Sequence, residues 1–309
     1  MSQLEALESS GVMPAPPIAE EPPQRWKPRN LLKAALFSVV LVGLTILFIY
    51  PFVWAVSASL KPQGEVFDNR LIPKHWAFHN WADVFRIPDA PMLTWIWNSV
   101  WISTVGALAV TFSSAVIAFG FAYFRFPGRN LLFGILLATM MLPQEVTMIP
   151  TYLIWKHLGL INHGGQYPLW VPNLFGSAFY VFLQRQFFLG IPRDYFEAAR
   201  MDGDNYLTMF WRIAVPLAKP ALIVTFIFEF QAKWFDLMQP LIYLRDTALL
   251  TLPIGLKTIL DSFGQSGGGE GDWQLIIAAT VIAVIPMLAL FAFFSKYFLE
   301  GISTQGRKG

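Results

Sequence analysis

Glu229, Lys233 and Asp236 are the ionisable residues that stand inside an apolar run of this 309-residue chain. A charged side chain at the centre of a bilayer costs roughly 2.5–3.5 kcal/mol on insertion scales, so it faces a partner, a bundle interior or water. Steps of four and three residues along a helix keep all three within about 40° of one another. Lys233 can pair with either carboxylate one turn away, and Trp234 flanks the stripe. Two uses fit: the stripe lines a path for a polar solute, or it is an internal ion-pair cluster that fixes helix packing. Pro143 and Glu145, with Pro150, are a second candidate. Two prolines free backbone carbonyls and bend or break a helix, and broken helices at membrane depth often border a pathway. A kinked packing helix with Glu145 reaching the surface fits equally. His75, His79, His157 and His163 lack the companions that metal-ligand spacing requires, so no metal site is expected. No Gly-x-x-x-x-Gly-Lys-Ser/Thr run is present, so nucleotide chemistry is not expected on this chain. No nucleophile–base pair is legible within the apolar runs, so the chain does not read as an enzyme.

The most organised polar stretch lies between apolar ones. Pro192 suits a helix start, and Glu197, Ala198, Ala199 and Arg200 favour helix. Asp202 ends the run and Gly203 can close it in the left-handed conformation. Asp204 or Asn205 can cap a second short helix through Ile213, which Pro216 stops or turns.

These elements need a scaffold, and composition names its class. The chain is 55% hydrophobic and 14% charged with a mean hydropathy of +0.49, whereas soluble domains carry about 25% charged residues. A net charge of +2 gives no argument for nucleic acid, and without Cys there is no disulfide framework. A spanning helix needs about 20 apolar residues. Six candidates follow at about 31–60, 99–123, 131–153, 169–188, 221–244 and 275–299. The chain then divides into a disordered Pro/Glu-rich tail over 1–30, a first span with an external segment over 31–93, a transmembrane domain over 94–299, and a tail over 300–309. Lys and Arg are about twice as frequent in segments on the side of both termini, which places those ends and the 189–217 loop in the cytoplasm. In the external segment Phe78, Trp81, Val84 and Phe85 share one face of a short amphipathic helix.

The spacing Glu197-Ala198-Ala199, Gly203, Ile213 and Pro216 resembles the coupling loop of binding-protein-dependent ABC importer permeases, with Val215 where that motif carries Leu. Ser59-Leu60-Lys61-Pro62, Asn98-Ser99, Arg125-Phe126-Pro127-Gly128-Arg129, Met141-Leu142-Pro143, Leu158-Gly159-Leu160 and Trp234-Phe235-Asp236 are similar in order to the maltose-type carbohydrate group. Phe235 departs from the Asn common there. The resemblance implies an all-α, six-span, type I importer permease of the cell membrane. It implies a second homologous permease, two ATP-binding subunits that hold ATP and Mg, and an external binding protein as partners. Gln305 and Gly306 of the C-terminal tail would reach the ATPase. The expected cargo is a sugar or oligosaccharide. Glycerol phosphate is the nearest alternative, and an ion-coupled secondary transporter is the alternative of another class.

Overall fold

The computed structural model describes residues 28–161, 165–264 and 271–303. The expected N-terminal tail up to residue 27, His163 and the C-terminal pair Gln305 and Gly306 lie outside them. Every regular element among the described residues is helical. The chain divides into two compact units, one ending at Phe52 and the other beginning at Val53. Helix α1, Pro28–Ser59, supplies the described part of the first unit, and its apolar side chains from Leu36 to Phe52 are exposed.

The second unit is built around α3, Met92–Tyr123, which packs against α7 (Ala178–Leu189) and α11 (Lys219–Trp234). Its buried face carries Gly106, Ala107, Ala115, Ala118 and Ala122. Small residues let helix backbones approach closely where lipid supplies no hydrophobic drive between helices. Helix α14, Trp273–Ser303, closes against α11 and α13 (Leu252–Phe263).

Among the described residues, three helices are long and apolar enough to cross a membrane: Lys33–Ser59, Met92–Tyr123 and Trp273–Phe294. Two more candidates are bent pairs. Helices α4 (Arg129–Thr139) and α5 (Gln144–His157) meet at 95°, with Pro143 extended at the N-cap (φ −61°, ψ 136°). The segment Tyr206–Leu217 meets α11 at 77° at Ala218, between Pro216 and Pro220. Proline at both places removes a backbone donor and the helix turns there.

The apolar run expected as a span over 169–188 is not one helix. It comprises α6 (Tyr167–Trp170), a 3-10 turn (Val171–Phe175) and then α7. Pro168 and Pro172 start each short piece, and Gly176 (φ +80°) turns the chain between them and α7. A Cβ on Gly176 would lie 2.8 Å from Ile117 Cδ1, so the break sits tightly on α3. The run expected over 221–244 also ends early: α11 stops at Trp234, and α12 (Met238–Tyr243) follows a turn in which Asp236 accepts from Gln239 N at 3.1 Å.

The segment expected to lie outside folds on side-chain to backbone bonds. Lys61 is 1% exposed and its Nζ donates to Asp68 O at 2.7 Å. Asn80 Nδ2 donates to Ser59 O (3.0 Å) and Lys61 O (2.9 Å), and Trp81 Nε1 donates to Ser59 Oγ (3.1 Å). These bonds give the Ser59-Leu60-Lys61 marker a structural role. The expected amphipathic helix is present as α2 (His79–Asp83) and the 3-10 turn Val84–Arg86. Its face is split: Val84 is buried and Trp81 packs on the core, while Phe78 and Phe85 are exposed. Phe78 stacks on Trp76 instead, at 5.3 Å between ring centroids.

At the same end of the unit, α3 grips the chain before α13. Trp95 Nε1 donates to Thr247 O (2.8 Å), Asn98 Nδ2 to Ala248 O and Leu250 O (both 2.9 Å), and Gln166 Nε2 to Leu249 O (2.8 Å). Ser99 Oγ accepts from Leu252 N at 2.8 Å. Four consecutive carbonyls are thereby satisfied by side chains, as backbone acceptors away from water require. Replacing Asn98 by Ala removes two of these donors, which predicts a loss of about 1–3 kcal/mol. Faster amide exchange at residues 248–252 in hydrogen-exchange mass spectrometry checks it, and unchanged exchange there would mean that the grip carries no stability.

Candidate functional site

The polar stretch after Pro192 forms a compact helical hairpin. Pro192 is extended (φ −57°, ψ 136°) and starts α8, Arg193–Met201. Asp194 lies in its first turn and Arg200 in its last, each on the side that the helix dipole favours. The end is a Schellman motif: Gly203 N donates to Arg200 O (3.2 Å) and Asp204 N to Ala199 O (2.9 Å), with Gly203 at φ +89°. Asn205 Oδ1 then accepts from Thr208 N at 2.8 Å and caps α9, Tyr206–Met209. A π-turn, Phe210–Ala214, and α10, Val215–Leu217, lead to the bend at Ala218.

One face of this hairpin is cemented to the bundle. Phe196, Ala199, Met209, Phe210, Ala214 and Ala218 are all buried in one cluster with residues of α3 and α7. At its centre Phe119 of α3 lies 6.0 Å from the Phe196 ring, 5.9 Å from Phe188 and 5.4 Å from Phe210. The other face is open: Asp194, Glu197, Ala198 and Asp202 are exposed, and Met201 is 88% exposed. Ala198 and Ala199 are therefore separated. Only Ala198 stands on the open face, since the next residue of a helix is turned by about 100°, and Ala199 packs inward at 8% exposure. Ile213 is half-buried within the π-turn and Pro216 is exposed at the elbow.

The intramembrane stripe is brought together, and it is enclosed. Lys233 Nζ lies 3.9 Å from Glu229 Oε1, with both side chains 12–13% exposed. Asn173, at the break of the fourth apolar run, donates from Nδ2 to Glu229 and to Gly106 O (3.2 Å), and Ser113 Oγ donates to Asn173 O (2.9 Å). Tyr180 of α7 is buried, at 7% exposure. Trp234 is 2% exposed and stacks on Phe230 at 5.9 Å. Among the described residues Asp236 makes no ion pair within 4 Å, and its Oδ1 accepts from Gln239 N in the turn before α12. Pro143 and Glu145 stay exposed at the α4–α5 bend, and among the described residues no hydrogen bond or ion pair links Glu145 to the cluster.

Sequence reasoning missed Asn173, Tyr180 and the second buried set, in which Gln184 Nε2 donates to Thr225 Oγ1 at 3.0 Å. A lone amide in an apolar run was the available signal: burying one requires a partner.

The chain's sequence matches the family described as binding-protein-dependent transport system inner membrane component over residues 114–304. It is similar to the arabinooligosaccharides transport system permease protein AraQ of Bacillus subtilis (strain 168), with 32% identity over 289 residues, 92% of this chain and 99% of that one. It is also similar to the sn-glycerol-3-phosphate transport system permease protein UgpE of Yersinia enterocolitica, with 30% identity over 273 residues, 85% of this chain and 94% of that one. The fold is that of a chain in the crystal structure of a bacterial ABC transporter involved in the import of the acidic polysaccharide alginate. The TM-score is 0.77 at 24% identity, covering 89% of this chain and 99% of that one. These matches favour the importer reading over an ion-coupled secondary transporter.

Proposed function

Because this chain belongs to the family of binding-protein-dependent transport system inner membrane components, we propose that it forms half of an ATP-driven import path for a sugar or oligosaccharide. A second permease, two ATP-binding subunits and an external binding protein complete the transporter, with ATP and Mg on the ATPase. Both termini lie in the cytoplasm, six crossings are made by counting each broken run as one, and Gln305 and Gly306 reach the ATPase.

The observation that carries this reading is the two-faced hairpin. Helix α8 offers Asp194, Glu197, Ala198 and Met201 outward, while Phe196 and Ala199 lock it to α3 and α7. Asp202 and Gly203 close its far end, and Ile213 and Pro216 shape its exit. A partner that seats the open face and moves therefore moves a rigid element. The π-turn and the elbow at Ala218 pass that movement to α11. In this reading Glu197 pairs with a basic group of the ATPase, and the Schellman end keeps α8 at a fixed angle.

Gly203→Pro tests it. Proline cannot adopt φ +89° and has no N–H for Arg200 O. The expected result is an inserted, assembled transporter whose ATPase loses its stimulation by binding protein. Wild-type stimulation in the variant would refute the coupling role. Uptake of labelled oligosaccharide against sn-glycerol 3-phosphate in the same vesicles separates the cargo classes.

The enclosed Glu229–Lys233 pair supports a packing role for that part of the stripe. Asp236, at the outer end of α11, and Glu145 and Pro143, at the exposed bend, are the members left for contact with the path or the binding protein.

A further inference from the structure

A cleft of about 310 Å3 opens between the end of α3 and the inner side of α8. Its floor is aromatic, made by Phe119, Phe188 and Phe196, and its walls include Tyr123 and Tyr206. Three arginines line it: Arg125 from the loop after α3, and Arg193 and Arg200 from the two ends of α8. Among the described residues none of the three pairs with a carboxylate. Glu197 also lines the cleft without forming an ion pair there, and Arg200 lies 6.0 Å over the Tyr206 ring. The loop that carries Arg125 is itself fixed, since Arg129 Nη1 donates to Phe124 O at 3.2 Å.

We infer that this cleft binds a phosphate ester on the cytoplasmic side. Guanidinium is planar and matches phosphate oxygens two at a time, which makes several unpaired arginines around one cleft a phosphate-binding arrangement. The aromatic floor takes the apolar face of the attached group. A sugar phosphate fits that division of the cleft, as does the headgroup of an anionic phospholipid entering from the bilayer surface, where basic pockets between helices recur. Either ligand bridges Arg125 to Arg193 and Arg200, tying α8 to the end of α3. The consequence for transport rests on the coupling role proposed above: a bridged α8 resists being carried by the ATPase, so the ligand restrains import.

The test uses the assembled transporter, purified through a tag on this chain and placed in nanodiscs of phosphatidylcholine alone. Binding of radiolabelled glucose 6-phosphate is measured for wild type, Arg125→Gln and Arg125→Lys, with glucose as the phosphate-free control. The expected result is saturable binding, at least tenfold weaker in Arg125→Gln and intermediate in Arg125→Lys, with no binding of glucose. A second arm adds phosphatidylglycerol and counts retained lipid by native mass spectrometry. Arg125-dependent retention of that lipid, with loss of glucose 6-phosphate binding, assigns the phosphate to a headgroup and supports the site. Absence of Arg125-dependent binding in both arms, as when an ATPase subunit fills the cleft, overturns it. Gly203→Pro keeps the two proposals apart: ligand binding retained with coupling lost supports the cleft, whatever becomes of the coupling assignment.

Discussion

Glu229→Ala should destabilise the transmembrane unit by about 3–5 kcal/mol, the range for breaking a buried ion pair from one side. The variant leaves Lys233 enclosed without its carboxylate, and it removes the acceptor of Asn173. Asn173 lies at the break of the fourth apolar run. Losing Glu229 therefore frees the 3-10 turn from α11, while the bonds of Asn173 to Gly106 O and Ser113 Oγ still tie it to α3. The double variant Glu229→Leu/Lys233→Met should recover much of the loss, because removing both charges avoids the uncompensated one. Thermal unfolding of wild type, Glu229→Leu, Lys233→Met and the double variant in one detergent closes the cycle and gives the coupling energy. A Lys233→Met cost near zero would show that water reaches the pair, and the stripe would return to the list of path-lining groups.

Gly255→Ala should be the most damaging single-methyl change where α3 meets α13. A Cβ there would stand 2.1 Å from Trp95 Cε3, and Trp95 is 0% exposed. The indole is also held by its bond to Thr247 O, so neither ring nor helix α13 yields without breaking another contact. Overpacking of this kind costs about 1–3 kcal/mol and sometimes more. Gly120→Ala is the matched control, because a Cβ at that helical position meets nothing within 4 Å. It should be neutral or slightly stabilising, since Ala is the better helix former by about 1 kcal/mol. Trp95→Leu should partly rescue Gly255→Ala and not Gly120→Ala. Equal midpoints for the two glycine variants would remove the close contact from the account.

The hairpin after Pro192 was legible because its signals are local. Pro192, Gly203 and Asn205 each act through their own backbone angles and nearest donors, and the helix, the break and the second cap lie where those residues put them. The fourth apolar run was not legible as broken. Pro168, Pro172 and Gly176 were present as punctuation, but hydropathy averages over them, and Asn173 finds its partners on α3 and α11, far along the chain. The amphipathic face of α2 was half legible: the period placed Trp81 and Val84 inward, and the stacking of Phe78 on Trp76 pulled the rest away. Ala198 and Ala199 looked equivalent as small residues, and only the position of α8 on the bundle separates them. The Trp95–Gly255 contact joins residues that no periodicity connects.

The grip on the chain before α13 has a consequence for how this protein can change over generations. Thr247, Ala248, Leu249 and Leu250 are held by their carbonyl oxygens, which every amino acid possesses. Leu250 is buried, but Thr247 and Ala248 point their own side chains outward. Substitutions at those two places therefore leave the anchorage untouched. A surface loop that keeps its shape whatever side chains it displays is free to be retuned toward new partners without endangering the fold. Positions 247 and 248 should accept nearly any non-proline residue in a saturation library, while Asn98 and Trp95 should accept almost none.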